Sequence, residues 1–339
     1  MRKLFPLLLA CGLSLAHAAE HRLEGVRLGG QDYVSLADWA RANDLGWRWF
    51  NRDKTVEATN RTTRLQFDAD SAQAEINGVR VRLSFPFAVV KSRPLIAQLD
   101  LDTAIRPLLF PPRFTDARPV RVICLDPGHG GRDSGNRVWW RQEKNYTLPL
   151  ALELRDQLKK AGFSVVLTRS TDTTVKLPDR PALANRLKAD LFVSLHFNAT
   201  VAGRDEVEGP ETYCITPIGA SSSNERIENT EYGSTVGTGL TLANRNEQKS
   251  LLLAYQVQKA LVRNLAANDR GVKRARFAVL RDAAMPAILI EGGFMTHPAE
   301  SKRIYDATYR RQMAQAIVKG ILAYQQATAP PATKPSRGR

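Results

Sequence analysis

The chain has 339 residues, 43% hydrophobic and 24% charged, the balance of a soluble globular protein with room for two domains. Its 49 Lys and Arg against 34 Asp and Glu leave a formal charge of +15, which draws polyanions. No dense basic run carries interleaved aromatics, so we expect no nucleic-acid partner; an acidic cell-wall polymer fits the charge instead.

Residues 1–18 read as an export signal peptide: Arg2 and Lys3, then the apolar stretch "LFPLLLACGLSLA", then "AHA" ending at Ala18. The stretch is too short to span a bilayer. A competing reading takes "LLAC", ending at Cys11, as a lipoprotein box with a membrane lipid anchor on Cys11. "AHA" is the cleaner signal, so cleavage at Ala18 and a periplasmic or cell-envelope location are expected. Cys124 and Cys214 then remain, both in apolar runs, and read as buried free thiols, with a bridge between them as the alternative.

Residues 19–110 read as a small α+β domain. "GVRLGGQDYVSL" gives two strands about a Gly-Gly turn. "SLADWARANDLG" gives a helix capped by Ser35, with Asp38 at capping-box spacing and Gly46 as its stop. "WRWF", "TVEAT" and "RLQFD" follow as strands, and "AEINGVRVRL" is a hairpin about Asn77-Gly78. "RPLIAQLDLDTAIRPLL" adds a strand and a helix. This half holds no recognisable catalytic set.

Residues 111–120 are proline-rich and read as a linker. From Arg121 to residue 326 the pattern changes. "RVICLD", "FSVVLT", "DLFVSLH", "PETYCIT", "RFAVL" and "AILIE" read as strands. Four helical patterns alternate with them: "LPLALELRDQLKKAG", "PDRPALANRLKA", "SLLLAYQVQKALVRNLA" and "YRRQMAQAIVKGILAYQQ". Pro149 fits only the first turn of its helix. Such alternation predicts an α/β fold, a mostly parallel twisted sheet flanked by helices. The polar stretch 217–248 interrupts it as an insertion without an amphipathic stripe, and 327–339 reads as a disordered tail.

The chain has five histidines, and only His129, His196 and His297 lie in its body. In an open α/β sheet, ligands bind beyond the carboxyl ends of the strands. His129 follows "RVICLD" in the loop "DPGHGG", whose glycines let the backbone turn sharply. His196 ends "DLFVSLH", Glu291 ends "AILIE", and Glu143 precedes the first helix of this half. Two histidines and one carboxylate form a ligand set for catalytic zinc, and the other carboxylate is then placed to shuttle protons. Arg180 and Asn185 read as braces. "THPAE" reads as a helix start capped by Thr296, with His297 an ordinary neighbour of the cap.

"LDPGHGGRDSG", "EKNYTLPLALEL", "VVLTRSTDTTVKLPDRPALANRLKADLFVSLHFNA", "RGVKRARFAVLRDAAMPAILIEGGFMTHPAE" and "AQAIVKGILAY" occur in that order. The stretch from Val122 to Tyr324 resembles the zinc-dependent N-acetylmuramoyl-L-alanine amidases of peptidoglycan. The resemblance implies Zn2+ on His129, Glu143 and His196, and Glu291 as the catalytic carboxylate. It implies peptidoglycan as partner, with any activator protein unspecified. The bond cut would be the amide between N-acetylmuramic acid and L-alanine. A zinc peptidase of wall stem peptides and a non-catalytic peptidoglycan-binding protein are the alternatives. "YVSL", "LGWRW", "TVEA" and "INGVRV" resemble the N-terminal-like domain of copper amine oxidases, which implies a wall-contacting or spacer module and no copper.

Overall fold

The computed structural model describes residues 25–111, 119–223 and 244–329. The expected signal peptide with Cys11, the middle of the expected linker, the centre of the expected 217–248 insertion and residues 330–339 lie outside the described residues. Among the described residues, no helix is long and apolar enough to cross a membrane.

The first half begins with strands β1 (Gly25–Leu28) and β2 (Gln31–Ser35) and helix α1 (Leu36–Ala42). Ser35 caps α1 by accepting from the Asp38 amide at 3.3 Å. Asn43 closes that helix, and Gly46, expected to stop it, instead opens β3 (Gly46–Asn51). A meander follows: β4 (Thr55–Thr59), β5 (Arg64–Asp68), β6 (Gln73–Ile76) and β7 (Val79–Arg82). Asn77 and Gly78 both take positive φ at the β6–β7 turn, as a two-residue type I′ hairpin requires. Strands β8 (Ala88–Val90) and β9 (Arg93–Ala97) join β1 and β2 in a separate small sheet, β9 pairing with β2 and β8 with β9. A helical run closes this half, α2 (Gln98–Asp100), a π turn (Leu101–Ile105) and α3 (Arg106–Leu109).

The second half runs β10 (Val122–Pro127), a short hairpin of β11 (Arg137–Val138) and β12 (Arg141–Gln142), α4 (Lys144–Lys160), β13 (Ser164–Leu167), α5 (Asp179–Arg186), β14 (Leu191–Asn198) and β15 (Glu211–Cys214). It continues with α6 (Glu247–Leu265), β16 (Val272–Arg274), α7 (Ala278–Arg281), β17 (Ala287–Phe294), α8 (Pro298–Tyr305) and α9 (Ala307–Thr328). The expected strand "RFAVL" is not one: the strand is β16, just before it, and α7 takes the rest. A short apolar run does not by itself distinguish strand from helix. Helix α4 starts earlier than expected, so Pro149 falls in its second turn, where it removes one backbone donor. Residues 327 and 328, expected in the tail, still belong to α9.

Strands β13, β10, β14 and β17 are neighbours and parallel. The chain leaves β10 for β13 on one side and then crosses to β14 on the other, a switch point between β10 and β14 where an open sheet offers a crevice. Beyond β17, β15 is antiparallel and β16 is parallel to β15. Strand β16 in turn pairs with β7 through Val272 and Val81, so the meander of the first half continues the sheet to 11 strands. The halves are joined further by Tyr255 Oη donating to the Ile76 carbonyl at 2.9 Å and Arg274 donating to the Thr103 carbonyl at 2.6 Å.

Strand alternation divides the interior. Ile123, Leu125, Val193, Leu195, Ile288 and Ile290 join the main core with the apolar faces of α4, α6 and α9. Cys124, Phe192, Ala287 and Leu289 point the other way, into a smaller cluster with Ala184 of α5 and Val279 of α7. Cys124 and Cys214 thus belong to different clusters, and both are buried free thiols.

Candidate metal centre

Period-two alternation carries the second face to the carboxyl ends of β10, β14 and β17. There the residues turn from apolar to polar: Asp126 on β10, Ser194 and His196 on β14, Glu291 on β17. Register sets His196 directly opposite Glu291, and Glu291 opposite Glu211 on β15. Both His196 and Glu291 lie inside their strands and not at the ends expected from sequence, because each strand runs on to Asn198 and Phe294.

His129 comes from the loop after β10 and takes φ +61°. Glu143, immediately before α4, is buried between the two rings. Its Oε2 lies 3.0 Å from His129 Nε2 and its Oε1 lies 2.9 Å from His196 Nδ1. The same carboxylate accepts backbone N–H bonds from Phe197 at 3.0 Å and Asn136 at 2.9 Å. Candidate donor atoms of His129, Glu143 and His196 all lie within 4.8 Å of one another. A tetrahedral zinc site with bonds of roughly 2.0–2.1 Å separates neighbouring ligand atoms by about 3.3 Å. The two separations from Glu143 to the rings come close to that spacing, and all three side chains are buried, so the donor set fits the ion.

The surroundings hold these groups in place. Asp133 Oδ2 lies 2.8 Å from His129 Nδ1, which turns Nε2 towards Glu143, as a carboxylate behind a metal-binding histidine commonly does. Arg180 donates to the carbonyls of Pro127 and His129, each at 3.0 Å, and pairs with Asp126 Oδ1 at 2.7 Å. The expected bracing role of Arg180 is therefore seen directly, and Asn185 braces by donating to the Asp282 carbonyl at 2.9 Å. A Cβ at Gly128 would stand 2.3 Å from His196 Cε1, and one at Gly135 2.6 Å from Glu143 Oε2. The glycines thus serve close approach as well as turning.

Burial alone would raise the pKa of Glu143, but the hydrogen bonds to His129 and His196 outweigh it and hold the carboxyl well below the usual range. Burial likewise would lower His129, yet Glu143 and Asp133 carry it upward. Glu291 moves the other way. Burial first, then the negative charges of Glu143 and Glu211, push it well above an ordinary carboxyl, against a smaller pull from Lys273. Its Oε2 is buried without a hydrogen-bond partner. The two carboxyls are thus pushed in opposite directions, Glu143 down and Glu291 up.

A narrow pocket lined by His129, His196, Asp133, Leu177, Phe277 and Leu289 adjoins the pair of rings. His297 stands apart from this centre. Its Nδ1 accepts from the Glu300 amide at 3.1 Å, so His297 is itself the cap of α8, in place of the expected Thr296. Sequence reasoning missed Asp133 and Glu211. Asp133 lies four residues beyond His129 in a loop without periodicity. Glu211 was visible only near the start of the expected strand "PETYCIT", with nothing to say which strand it would meet. It accepts from Asn198 at 2.9 Å and Tyr213 at 2.8 Å, and pairs with Arg270 and Lys273.

Comparison with known proteins gives a consistent answer. The family model described as N-acetylmuramoyl-L-alanine amidase matches residues 123–323. The N-acetylmuramoyl-L-alanine amidase AmiC of Neisseria meningitidis is 36% identical over 219 residues, covering 60% of this chain and 52% of the relative. The chain thus spans about half the length of that curated relative. Among solved structures, the amidase AmiC2 of Nostoc punctiforme is 33% identical, with a TM-score of 0.50 over 61% of this chain and 97% of that one. The CwlD amidase of Clostridioides difficile, solved in complex with the GerS lipoprotein, is 27% identical, with a TM-score of 0.50 over 61% and 98%.

Proposed function

The chain belongs to the N-acetylmuramoyl-L-alanine amidase family, and from that membership and its site we propose that it hydrolyses the amide between N-acetylmuramic acid and L-alanine in peptidoglycan. The observation that carries the reading is the buried His129–Glu143–His196 cluster with Glu291 opposite His196 on the next strand, its Oε2 buried without a hydrogen-bond partner.

In this reading His129, Glu143 and His196 hold Zn2+. The ion, when bound, supplies a Lewis acid that polarises a carbonyl and acidifies water. The remaining steps belong to the protein. Glu143 stays ionised and neutralises part of the cation's charge. Asp133 fixes the His129 ring, and Arg180 fixes the loop that carries it. Glu291 accepts the proton of the attacking water and returns it to the departing alanine nitrogen. Its position opposite His196, with Oε2 unengaged by any hydrogen bond, supports that role.

The protein acts outside the cytoplasm on this account, exported through residues 1–18, with a lipid on Cys11 as the competing form. Residues 19–110 serve as a wall-contacting or spacer domain and 121–326 as the amidase domain. The complex of the related CwlD with a lipoprotein makes a protein activator a reasonable partner class.

Product analysis of digested peptidoglycan tests the reaction. Free lactyl carboxylates on muramic acid, together with intact stem peptides starting at L-alanine, are expected. Shortened stem peptides would mean a peptidase. Binding to sacculi with no new ends would mean a non-catalytic protein.

A further inference from the structure

The hairpin β11–β12, in the segment between His129 and Glu143, carries Trp139 and Trp140 at its turn. Both rings are exposed, at 83% and 75%, and they meet edge to face at 6.2 Å. Neither has a packing role that would explain it, and large apolar side chains left in water at one tip mark a contact surface. The turn is also costly. Trp139 takes φ +60°, a conformation suited to glycine at the first central position of a two-residue hairpin. An outlier of this kind points to function.

The hairpin is rigidly mounted. At its base the Glu143 amide donates to the Asn136 carbonyl at 2.9 Å, and the Asn136 amide returns a bond to Glu143 Oε2 at 2.9 Å. The Asn136 side chain donates to the Phe197 carbonyl at 2.9 Å. Behind the tip, the Arg141 guanidinium lies 4.0 Å over the Tyr305 ring and 5.8 Å from the Trp140 ring, and it donates to Tyr146 Oη at 2.8 Å. Tyr146 and Tyr305 are in ring contact at 4.6 Å. Trp140 is only three residues from Glu143, about 10 Å of extended chain.

We infer that Trp139 and Trp140 form a stacking platform for the sugar rings of the glycan strand, holding the polymer beside the metal centre. This inference rests on the amidase reading above. A pyranose presents a face of C–H bonds to an aromatic ring while its hydroxyl rim stays hydrated, so an exposed, rigid indole pair suits it and costs little conformational entropy. Arg137, exposed on the hairpin itself two residues before Trp139, supplies a positive charge that complements the lactyl carboxylates of a stripped glycan.

The test uses the full chain and the double variant Trp139→Gly/Trp140→Ala, glycine being free to keep the positive φ. Zinc content and melting temperature report that the variant is folded. Calorimetric titration with peptide-free glycan strands should show binding by the native chain and at least about tenfold weaker binding by the variant. The fall in kcat/KM on sacculi should exceed that on a soluble muramoyl peptide without a glycan strand, with KM carrying the difference. Equal glycan affinity in the two proteins would overturn the platform. So would native binding to anionic phosphatidylglycerol vesicles, but not to glycan, that the variant loses. A native chain that binds glycan but releases no stem peptide would instead refute the amidase reading and leave the platform standing.

Discussion

His196 and Glu291 occupy opposed positions on the adjacent parallel strands β14 and β17. Because side chains alternate with period two, a one-residue slip of either strand would send its own residue to the other face and part the pair. The sheet register therefore builds the site as much as the residues do, and it also brings Glu211 opposite Glu291 from the third strand.

That third carboxylate has a consequence for pH dependence. Glu211 contributes to the raised pKa of Glu291 as a nearby negative charge. Glu211→Gln removes the charge, so the pKa of Glu291 should fall. If Glu291 is the base, the acidic limb of kcat/KM should move to lower pH, as measured by rate profiles of both proteins. A shift to higher pH, or none, would contradict the assigned direction.

Arg180 and Asp126 form a buried ion pair at 2.7 Å. Removing one partner from such a pair costs about 3–5 kcal/mol, because the other is left buried and unpaired. We expect Arg180→Met to lower stability in denaturant titrations by that order.

Acid sensitivity follows from the same pair. Burial would raise the pKa of Asp126, but Arg180, Thr168 and Ser194 bring the net value below the ordinary one. A depressed folded pKa contributes stability that is fully present above the unfolded value near ~3.9 and is lost as pH falls through the folded value. Native stability should therefore decline below about pH 4, and Asp126→Asn should be less stable at neutral pH and show a flatter decline there. A parallel decline in both proteins, followed by chemical denaturation at several pH values, would rule out Asp126 as the source.

Asp133 tests the support behind the proposed metal ligands. Losing a carboxylate that orients a metal-binding histidine typically weakens metal affinity by about 10–100-fold. Asp133→Ala should show that loss in competition with a chelator while keeping a near-native melting temperature without metal, since Asp133 is half exposed.

Much of this was legible in the sequence, for identifiable reasons. His129, His196, Glu143 and Glu291 stand out because histidine is scarce and each falls at or near the carboxyl end of a strand or the start of a helix, where local patterning suffices. The Asn77-Gly78 turn was legible for the same reason. The pairing of Val272 with Val81 was not, since no local pattern reveals which distant strand covers an edge. The β11–β12 hairpin was also hidden, because Trp139 occupies a position where glycine or asparagine would have signalled a turn. His297 was passed over as a cap because an imidazole nitrogen is an uncommon acceptor there.

The seam between the halves makes a separate expectation. A fragment beginning at residue 121 would bare the edge of β16 and the faces of α6 that meet Ile76 and the π turn. Such an edge invites association. The fragment should melt lower than the full chain and aggregate more readily, as light scattering during thermal unfolding would show. Equal stability would mean that the shared sheet contributes little.

The most direct measurement is metal content against turnover in His129→Ala and Glu291→Gln, each purified and folded. His129→Ala leaves two protein ligands for an ion that takes three and a water, so zinc should be lost or weakly held and activity lost with it. Glu291→Gln keeps the three ligands and removes only the group that exchanges a proton. It should retain near-stoichiometric zinc while turnover on peptidoglycan drops by about 10²–10⁴-fold. Loss of zinc from Glu291→Gln, with zinc retained in Glu143→Gln, would show that the two carboxylates exchange roles and would contradict the account.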